Sequence, residues 1–215
     1  MIGLTDCETV GKIGYMDIEV LKWFHEVFHD QTWLNYIMKY ITYIGEFGAG
    51  TIICAIVLFI FKKTRWAGVA IAIAFVLDVL IVNVILKLSV NRPRPWQDYP
   101  DLGFHEFHES ISVREPTDSS FPSGHTAALF AGAVAIVMYY KVKGLPALVV
   151  ALFVAISRIY LCMHYPTDVI GGIVIGTACG IAGYYLMKLA KKYVLQWLAN
   201  RHPAPPEDNN EENTE

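Results

Sequence analysis

The chain has 215 residues, 54% of them hydrophobic, and a mean hydropathy of +0.39. This apolar content exceeds the roughly 45–50% of an ordinary soluble domain and points to a membrane protein. The 17 basic and 20 acidic residues nearly balance, which argues against a general nucleic-acid-binding protein with a basic footprint. The four cysteines show no CxxC spacing, so they predict neither a disulfide framework nor a zinc site.

The segment 1–45 is predicted to form amphipathic helices at the membrane interface, without a cleavable signal peptide. In the stretch 17–30, Ile18, Leu21 and Phe28 share one helical face. The stretch 33–45 repeats this pattern, with polar residues on its other sides. The pattern leaves open whether this second helix lies at the interface or crosses the bilayer as an additional span.

Five apolar runs follow, at residues 47–61, 66–88, 123–140, 145–161 and 169–186. A membrane-spanning helix needs about 20 residues, so the first run is short unless it extends backwards. We therefore predict an all-α fold, a polytopic membrane bundle of five to six spans with N-terminal amphipathic helices. The alternative, a buried helical bundle in a soluble protein, is disfavoured because apolar runs of this length are rare in soluble cores.

The predicted domain organisation has a transmembrane core at 46–190 and a disordered, acidic cytoplasmic tail at 191–215. Basic residues cluster in the loop 62–65, in the loop 141–143 and at the end of the last span. With five alternating spans these clusters share one side, which the positive-inside rule makes cytoplasmic. The acidic loop between residues 88 and 121 then faces outward.

Glycines at positions 172, 176 and 180 give the last span a smooth face. Such a face suits close helix packing. We expect packing within the chain, with a homodimer as the alternative.

Ionisable residues inside membrane proteins are costly and usually functional, and here they gather at the outward ends of the spans. Lys87, Arg94 and Arg158 could together neutralise a group with about two negative charges, and arginine forks onto phosphate oxygens. Ser123 and Gly124 stand at a predicted helix start, where free backbone amides favour an anion. The pattern predicts a phosphate site that needs no metal.

Two histidines and one carboxylate complete this cluster. His164 and Asp168 are four residues apart, so Asp168 could reach the imidazole, fix its tautomer and help it act as a nucleophile. His125 belongs to a different span and is free to act as a general acid. Each of these residues alone would more often be a cap or a topology signal, and only their joint spacing indicates a site.

Three blocks of the sequence resemble the type-2 phosphatidic acid phosphatase superfamily, in its membrane-bound lipid phosphatase branch. They read "KLSVNRPRP" from Lys87, "PSGH" from Pro122 and "SRIYLCMHYPTD" from Ser157. All three match the family pattern without a substitution and in the same order. The resemblance covers residues 42–186.

The resemblance implies that His164 attacks phosphorus and becomes phosphohistidine, that Asp168 orients it, and that His125 protonates the leaving oxygen and later activates water. By the same resemblance, the phosphoryl oxygens are held by Lys87, Arg94, Ser123, Gly124 and Arg158. No metal or other cofactor is needed in this family. Arg92 lies outside the family's core pattern and is expected to have a supporting role only.

The outward loop contains "HEFHES", in which His105 and His108 stand beside two glutamates. A metal site is one interpretation of this spacing, and a solvated loop is the favoured one. The loop has no role that the resemblance explains.

The resemblance makes a lipid phosphate the expected substrate, with undecaprenyl diphosphate preferred by analogy with small bacterial diphosphatases. Phosphatidylglycerophosphate and phosphatidic acid are the alternatives within this class, and membrane lipids are the expected surroundings. Two further readings are a vanadate-dependent haloperoxidase, which shares the motifs in larger soluble proteins, and a non-catalytic membrane scaffold.

Overall fold

The computed structural model describes residues 4–201, and every regular element in this range is helical, which confirms the all-α prediction. The ten α-helices of the described range are α1 (Leu4–Phe28), α2 (Thr32–Tyr43), α3 (Ala49–Ile60), α4 (Arg65–Asp78), α5 (Lys87–Val90), α6 (Pro95–Asp98), α7 (Phe104–Ser110), α8 (Gly124–Tyr140), α9 (Leu145–Tyr160) and α10 (Pro166–Arg201). A π-helical segment, Val79–Leu86, joins α4 to α5.

Three stretches of the described chain are long and apolar enough to cross a membrane, Arg65–Asp98, Gly124–Tyr160 and Pro166–Leu198. A fourth crossing is obtained if Thr32–Tyr43 and Glu46–Ile60, which meet at a bend of 42°, are counted as one broken span. The number of candidate spans is therefore three or four, below the five to six expected. The helix α3 alone has 12 residues and measures about 18 Å, too short for a hydrocarbon core of about 30 Å.

The stretch Gly124–Tyr160 is interrupted near its middle. Lys141 has φ 57° and ψ −132°, so the chain cannot continue as one helix through this residue. The helices on either side, α8 and α9, pack together through an apolar cluster that includes Leu129, Phe130, Val154 and Ala155. The two halves of this stretch thus lie side by side.

The tightest helix contact joins α10 to α8. A Cβ atom added at Gly176 would lie 2.3 Å from the Ala127 carbonyl oxygen, and one added at Gly180 would lie 2.7 Å from that of Ala131. At Gly172 the Ser123 carbonyl oxygen would be 2.8 Å away. The smooth glycine face is therefore covered by the chain's own α8, as expected.

The N-terminal helix α1 packs its apolar face against the end of the bundle where α9 ends and α10 begins. Ile18 and Leu21 are buried in a cluster with Leu161, Met163 and aromatic residues of the loop 91–123. Trp23, on another side of α1, is 54% exposed. The apolar face of this amphipathic helix is thus covered by other parts of the chain.

The last helix continues to Arg201, into the segment 191–215 that the sequence predicted to be disordered. The remainder of that predicted tail, residues 202–215, lies outside the described range.

Candidate active site

The predicted site residues meet around one cavity of about 430 Å³ at one end of the bundle. The cavity is lined by six of them, namely Lys87, Arg94, Gly124, His125, Arg158 and His164. Two predicted residues, Ser123 and Asp168, do not line it and are fully buried behind its wall. The sequence motifs therefore converge in space, although they are separated along the chain.

Local backbone features bring Lys87 and Arg94 together. The π-helical segment Val79–Leu86 ends immediately before Lys87. Such π-helical turns are frequent at functional sites in proteins. The helix α5 then stops at Asn91, which has a left-handed φ of 45°, and Arg94 follows in extended conformation. This change of direction turns both cations toward the same loop residue, Asp118.

Asp118 occupies the position between two of the predicted phosphate-binding cations. Its carboxylate accepts hydrogen bonds from Lys87 Nζ and from Arg94 Nη2, and its carbonyl oxygen accepts one from Arg94 Nε at 2.9 Å. Burial alone would raise the pKa of Asp118, but the two cations outweigh burial and lower it to about 2. A carboxylate thus sits where an anionic ligand would bind.

Arg158 offers a hydrogen-bond donor that has no partner among the described residues. Its Nη1 donates to Thr42 Oγ1 at 2.7 Å, which fastens the guanidinium to α2. Its Nε is buried and makes no hydrogen bond within the described structure, although the side chain lines the cavity. Because an unpaired buried donor costs about 1–3 kcal/mol, a ligand oxygen at this position would gain a strong contact.

His164 presents Nε2 toward the cations. Its Nδ1 lies 2.8 Å from the Ser120 carbonyl oxygen, which can only accept, so Nδ1 carries the proton. Nε2 lies 3.3 Å from Arg94 Nη1. Burial and the nearby charges of Arg94, Arg158 and Lys87 lower the pKa of His164 well below its ordinary value. The ring is therefore neutral and has a lone pair on the nitrogen nearest the cation site.

Asp168 comes close to His164, as the spacing predicted, but makes no direct hydrogen bond to it. Its Oδ2 lies 3.7 Å from His164 Nδ1 and instead accepts hydrogen bonds from Ser120 Oγ and from the Tyr165 amide at 3.0 Å. The i,i+4 spacing brings the two side chains close, but Ser120 stands between them. The carbonyl of Ser120 holds the His164 tautomer, while its hydroxyl holds Asp168.

His125 and Gly124 begin α8 at the cavity wall, as predicted. A Cβ atom added at Gly124 would lie 3.5 Å from Lys87 Nζ, so an anion at this helix start would also contact the lysine. The His125 ring packs on Gly45, where an added Cβ would lie 3.1 Å from His125 Cδ2. The connection between α2 and α3 therefore fits closely against the predicted general acid.

Ser123 precedes the first residue of α8, at the helix start where it was predicted, but it does not line the cavity. Its side chain is fully buried, with Oγ 3.0 Å from Thr126 Oγ1, and its amide donates to the Asp168 carbonyl oxygen at 3.0 Å. These contacts place its hydroxyl away from the cavity. Ser123 ties the start of α8 to the start of α10.

His105 and His108, in the segment between α5 and α8, have unlike surroundings. His105 is 53% exposed, as a solvated loop predicts, but His108 is buried. His108 Nδ1 lies 2.6 Å from Glu115 Oε1, and its Nε2 lies 2.6 Å from the Leu161 carbonyl oxygen. Within residues 4–201, no group of three or more metal-ligating side chains is arranged to hold an ion. His108 instead connects this loop to the turn that carries His164.

Sequence reasoning did not assign Asp118, Ser120 or Thr42 to the site. Asp118 was one acidic residue among several in a loop without periodicity. Ser120 acts largely through its backbone carbonyl, which no residue-type pattern reveals. Asp78 was also missed; it is buried at the cavity wall, and its Oδ1 has no hydrogen-bond partner in the described structure.

Comparison with known proteins identifies relatives of the whole bundle. A family model described as PAP2 superfamily matches residues 63–192. The chain is 30% identical over 183 residues to the undecaprenyl-diphosphatase BcrC of Bacillus subtilis, covering 83% of this chain and 88% of that protein. It is 35% identical over 161 residues to the phosphatidylglycerophosphatase B of the same organism, covering 68% and 71%.

Two crystal structures are similar to the whole fold. One is a transmembrane PAP2 type phosphatidylglycerolphosphate phosphatase from Bacillus subtilis, with a TM-score of 0.61 and 27% identity over 85% of this chain and 88% of that one. The other is LpxE from Aquifex aeolicus, with a TM-score of 0.58 and 27% identity over 78% and 94%.

The Asp118 contacts predict that Asp118→Asn strengthens binding of inorganic sulfate about two- to fivefold, since an ion pair with a half-exposed carboxylate contributes up to about 1 kcal/mol. A pKa lowered to about 2 means that the ion pairs form above that pH and are lost only as the pH falls through it. The gain should therefore be equal at pH 5 and pH 8. Titration calorimetry of detergent-solubilised protein measures it.

The matched control for this experiment is Asp101→Asn, which removes an exposed carboxylate from the same loop. It should leave sulfate binding unchanged. Weaker sulfate binding by Asp118→Asn would instead show that Asp118 organises the cations for a ligand rather than competing with it.

Proposed function

We propose that this chain, which belongs to the PAP2 superfamily, is an integral-membrane phosphatase that hydrolyses a lipid phosphate or diphosphate. The observation that carries the proposal is the neutral His164, whose Nε2 faces a cavity lined by Lys87, Arg94 and Arg158. A nucleophile beside three cations suits attack on an anionic phosphorus centre, because the cations offset charge that develops in the transition state.

The proposed reaction has two displacements at phosphorus. In the first, His164 Nε2 forms a bond to phosphorus as the bond to the leaving oxygen breaks, and His125 transfers a proton to that oxygen. In the second, His125 takes a proton from water, the water oxygen bonds to phosphorus, and the nitrogen–phosphorus bond breaks to release phosphate. The cations and the Gly124 amide hold the phosphoryl oxygens throughout.

Asp168 would act on His164 at both stages. Once Nε2 is bonded to phosphorus, the imidazole carries a positive charge, which a carboxylate 3.7 Å from Nδ1 stabilises. Asp168 is held by Ser120 and Tyr165, so it needs no rearrangement to do this. Its role in this proposal is therefore electrostatic and orienting.

We propose undecaprenyl diphosphate as the substrate. The relatives include a protein named undecaprenyl-diphosphatase and one named phosphatidylglycerophosphatase B, which define the two leading lipid classes. A diphosphate has a lipid monophosphate as its leaving group, which departs more readily than an alcohol. The cavity also has an apolar wall at Phe47, Phe75 and Val79, which suits the first part of a lipid chain. Phosphatidylglycerophosphate is the alternative.

We also propose five membrane crossings with the cavity on the outer face. The break at Lys141 divides Gly124–Tyr160 into α8 and α9, which pack together and would each cross the bilayer. The broken pair of α2 and α3, the stretch from α4 to α5, and α10 supply the others. This arrangement places the basic segments 62–65 and 141–143 on one side, as the positive-inside rule requires.

His164→Ala is expected to abolish phosphate release from every lipid, because no other group would bond to phosphorus. His125→Ala is expected to lower kcat about 10²- to 10⁴-fold, the usual contribution of a general acid. Phosphate release by protein in vesicles containing undecaprenyl diphosphate, phosphatidylglycerophosphate or phosphatidic acid measures both effects and ranks the substrates.

His105→Ala is the matched control, because it removes an exposed histidine outside the cavity. Turnover by His164→Ala would contradict the assignment of the nucleophile. Turnover of glycerophospholipids alone by the wild-type protein would replace undecaprenyl diphosphate with the alternative class. Bromide oxidation that depends on added vanadate would favour the haloperoxidase reading, and wild-type protein without turnover would favour a scaffold.

Activity is expected to survive EDTA, since side-chain cations supply the positive charge that a divalent ion would otherwise provide. The measurement is phosphate release before and after exhaustive chelation. Loss of activity that a divalent ion restores would contradict the proposal and direct attention to His105, His108 and Glu115.

The proposed topology predicts the accessibility of single cysteines introduced at Lys63, Glu109 and Lys143. An impermeant maleimide added to intact spheroplasts should label position 109 only, and permeabilised membranes should be labelled at all three. If Gly124–Tyr160 were a single crossing, position 143 would lie within the bilayer and would resist labelling in both preparations.

A further inference from the structure

We propose that Arg92 and Asp17 are positioning residues for the catalytic Asp168, so that the N-terminal helix α1 completes the active site. This inference rests on the proposed function. It adds Asp17, which lies outside residues 63–192, the region that the family model matches. From the sequence, Arg92 was expected to have a supporting role only, and no role was expected for Asp17.

Arg92 holds the Asp168 oxygen that faces away from His164. Its Nη1 donates to Asp168 Oδ1 at 2.6 Å and to Thr167 Oγ1 at 2.8 Å. The guanidinium also lies 3.9 Å from the centre of the Tyr165 ring, which fixes its plane. With Oδ1 held by Arg92, the other oxygen of Asp168 remains directed at Ser120 and His164.

Asp17 fixes the other side of the same guanidinium. Its Oδ2 accepts a hydrogen bond from Arg92 Nη2 at 2.8 Å and another from Thr167 Oγ1. Its Oδ1 accepts one from the Thr167 amide at 3.0 Å, in the first turn of α10. First-turn amides lack partners within their own helix, so a carboxylate at this position both satisfies the amide and favours the helix dipole. One residue of α1 thereby anchors the start of the helix that carries Asp168.

The charges in this network depend on one another. Asp17 and Asp168 are 3% and 0% exposed, and Arg92 is the cation that contacts both carboxylates in the described structure. Removing one member of a buried ionic group destabilises the remaining members in their buried positions, because a buried charge is left without compensation. An altered Asp17 would therefore change how Arg92 holds Asp168, although Asp17 itself does not reach His164.

The network lies behind the cavity. Arg92, Asp17 and Asp168 are absent from the cavity lining, which contains Lys87, Arg94 and Arg158. Substitutions at Arg92 or Asp17 should therefore reduce catalysis without weakening binding of the phosphate group. Substitutions of the lining cations should weaken phosphate binding as well as catalysis, and this contrast separates positioning from binding.

The test compares Asp17→Asn, Arg92→Lys and the double variant in vesicles. We expect each single variant to lower kcat about 10- to 100-fold, the range that follows from a small misplacement of catalytic groups. KM and inhibition by inorganic phosphate should stay at their wild-type values. The double variant should be no slower than Arg92→Lys, because lysine cannot bridge two carboxylates as arginine does and the coupling is then already lost.

Glu19→Gln provides the matched control, since it removes a carboxylate from α1 that contacts only the exposed Lys22 among its described partners. It should leave kcat unchanged. If Asp17→Asn does not fold, Thr167→Val replaces it, because Thr167 Oγ1 contacts both Asp17 and Arg92. Thermal unfolding in detergent identifies variants whose loss of activity reflects loss of folded protein.

A second readout does not depend on catalysis. Diethyl pyrocarbonate modifies neutral imidazole, and mass spectrometry of digested protein reports the rate at each histidine. Asp17→Asn should slow modification of His164 several-fold and leave exposed His105 unchanged. If the wild-type protein turns over no lipid phosphate, the proposed function fails while this readout still tests the network.

The positioning role would be overturned by an Asp17→Asn protein that matches Glu19→Gln in both kcat and His164 modification. It would also be overturned if Asp17→Asn and Arg92→Lys raised KM or weakened phosphate inhibition while kcat stayed constant. Additive effects in the double variant would contradict the coupling between the two residues.

Discussion

The site depends on holding three positive side chains together at the end of an apolar bundle. Lys87, Arg94 and Arg158 line one cavity, and Arg94 and Arg158 are both almost fully buried. Like charges at such a place repel, and each loses hydration that the protein must replace. Asp118 supplies the compensating charge to two of them, whereas the Arg158 guanidinium donates a side-chain hydrogen bond to the neutral hydroxyl of Thr42.

This constraint explains why the connection between α5 and α8 matters as much as the long helices. The segment 91–123 carries Asp118 to the cations, Ser120 to His164 and Asp168, and His108 to the turn before His164. The long helices fix the positions of their end residues. Residues of the segment 91–123 then make hydrogen bonds to the polar groups at those helix ends. Because a buried polar group is costly without a partner, these contacts limit the positions that the catalytic side chains can take.

Much of the site could be predicted from the sequence because charges at the ends of apolar runs are rare and informative. Lys87, Arg94, His125, Arg158 and His164 each lie near an end of such a run, and alternating spans place these ends on the same side. The link between Arg92 and Asp17 could not be predicted in this way, because the two residues are 75 positions apart and belong to different patterns. The Ser120 carbonyl was also missed, since backbone atoms leave no mark in residue types.

The fold was predictable in class and less so in detail. Apolar runs indicated helices correctly, but hydropathy does not record a bend, and the 42° bend between α2 and α3 decides whether they form one crossing. The break at Lys141 depends on one left-handed residue, which its residue type does not favour. The number of membrane spans therefore depends on the backbone conformation of a few residues, which the sequence pattern does not reveal.

The glycine contacts between α8 and α10 also determine where this pocket can diversify. Gly176 lies so near the Ala127 carbonyl that any larger residue would force the two helices apart, and with them the starts that carry His125 and Asp168. The cavity is also lined by Phe47, which is 80% exposed and lies outside the contact between α8 and α10. Evolution or design can thus reshape the pocket for a new headgroup at Phe47, while the α8–α10 contact preserves the reaction.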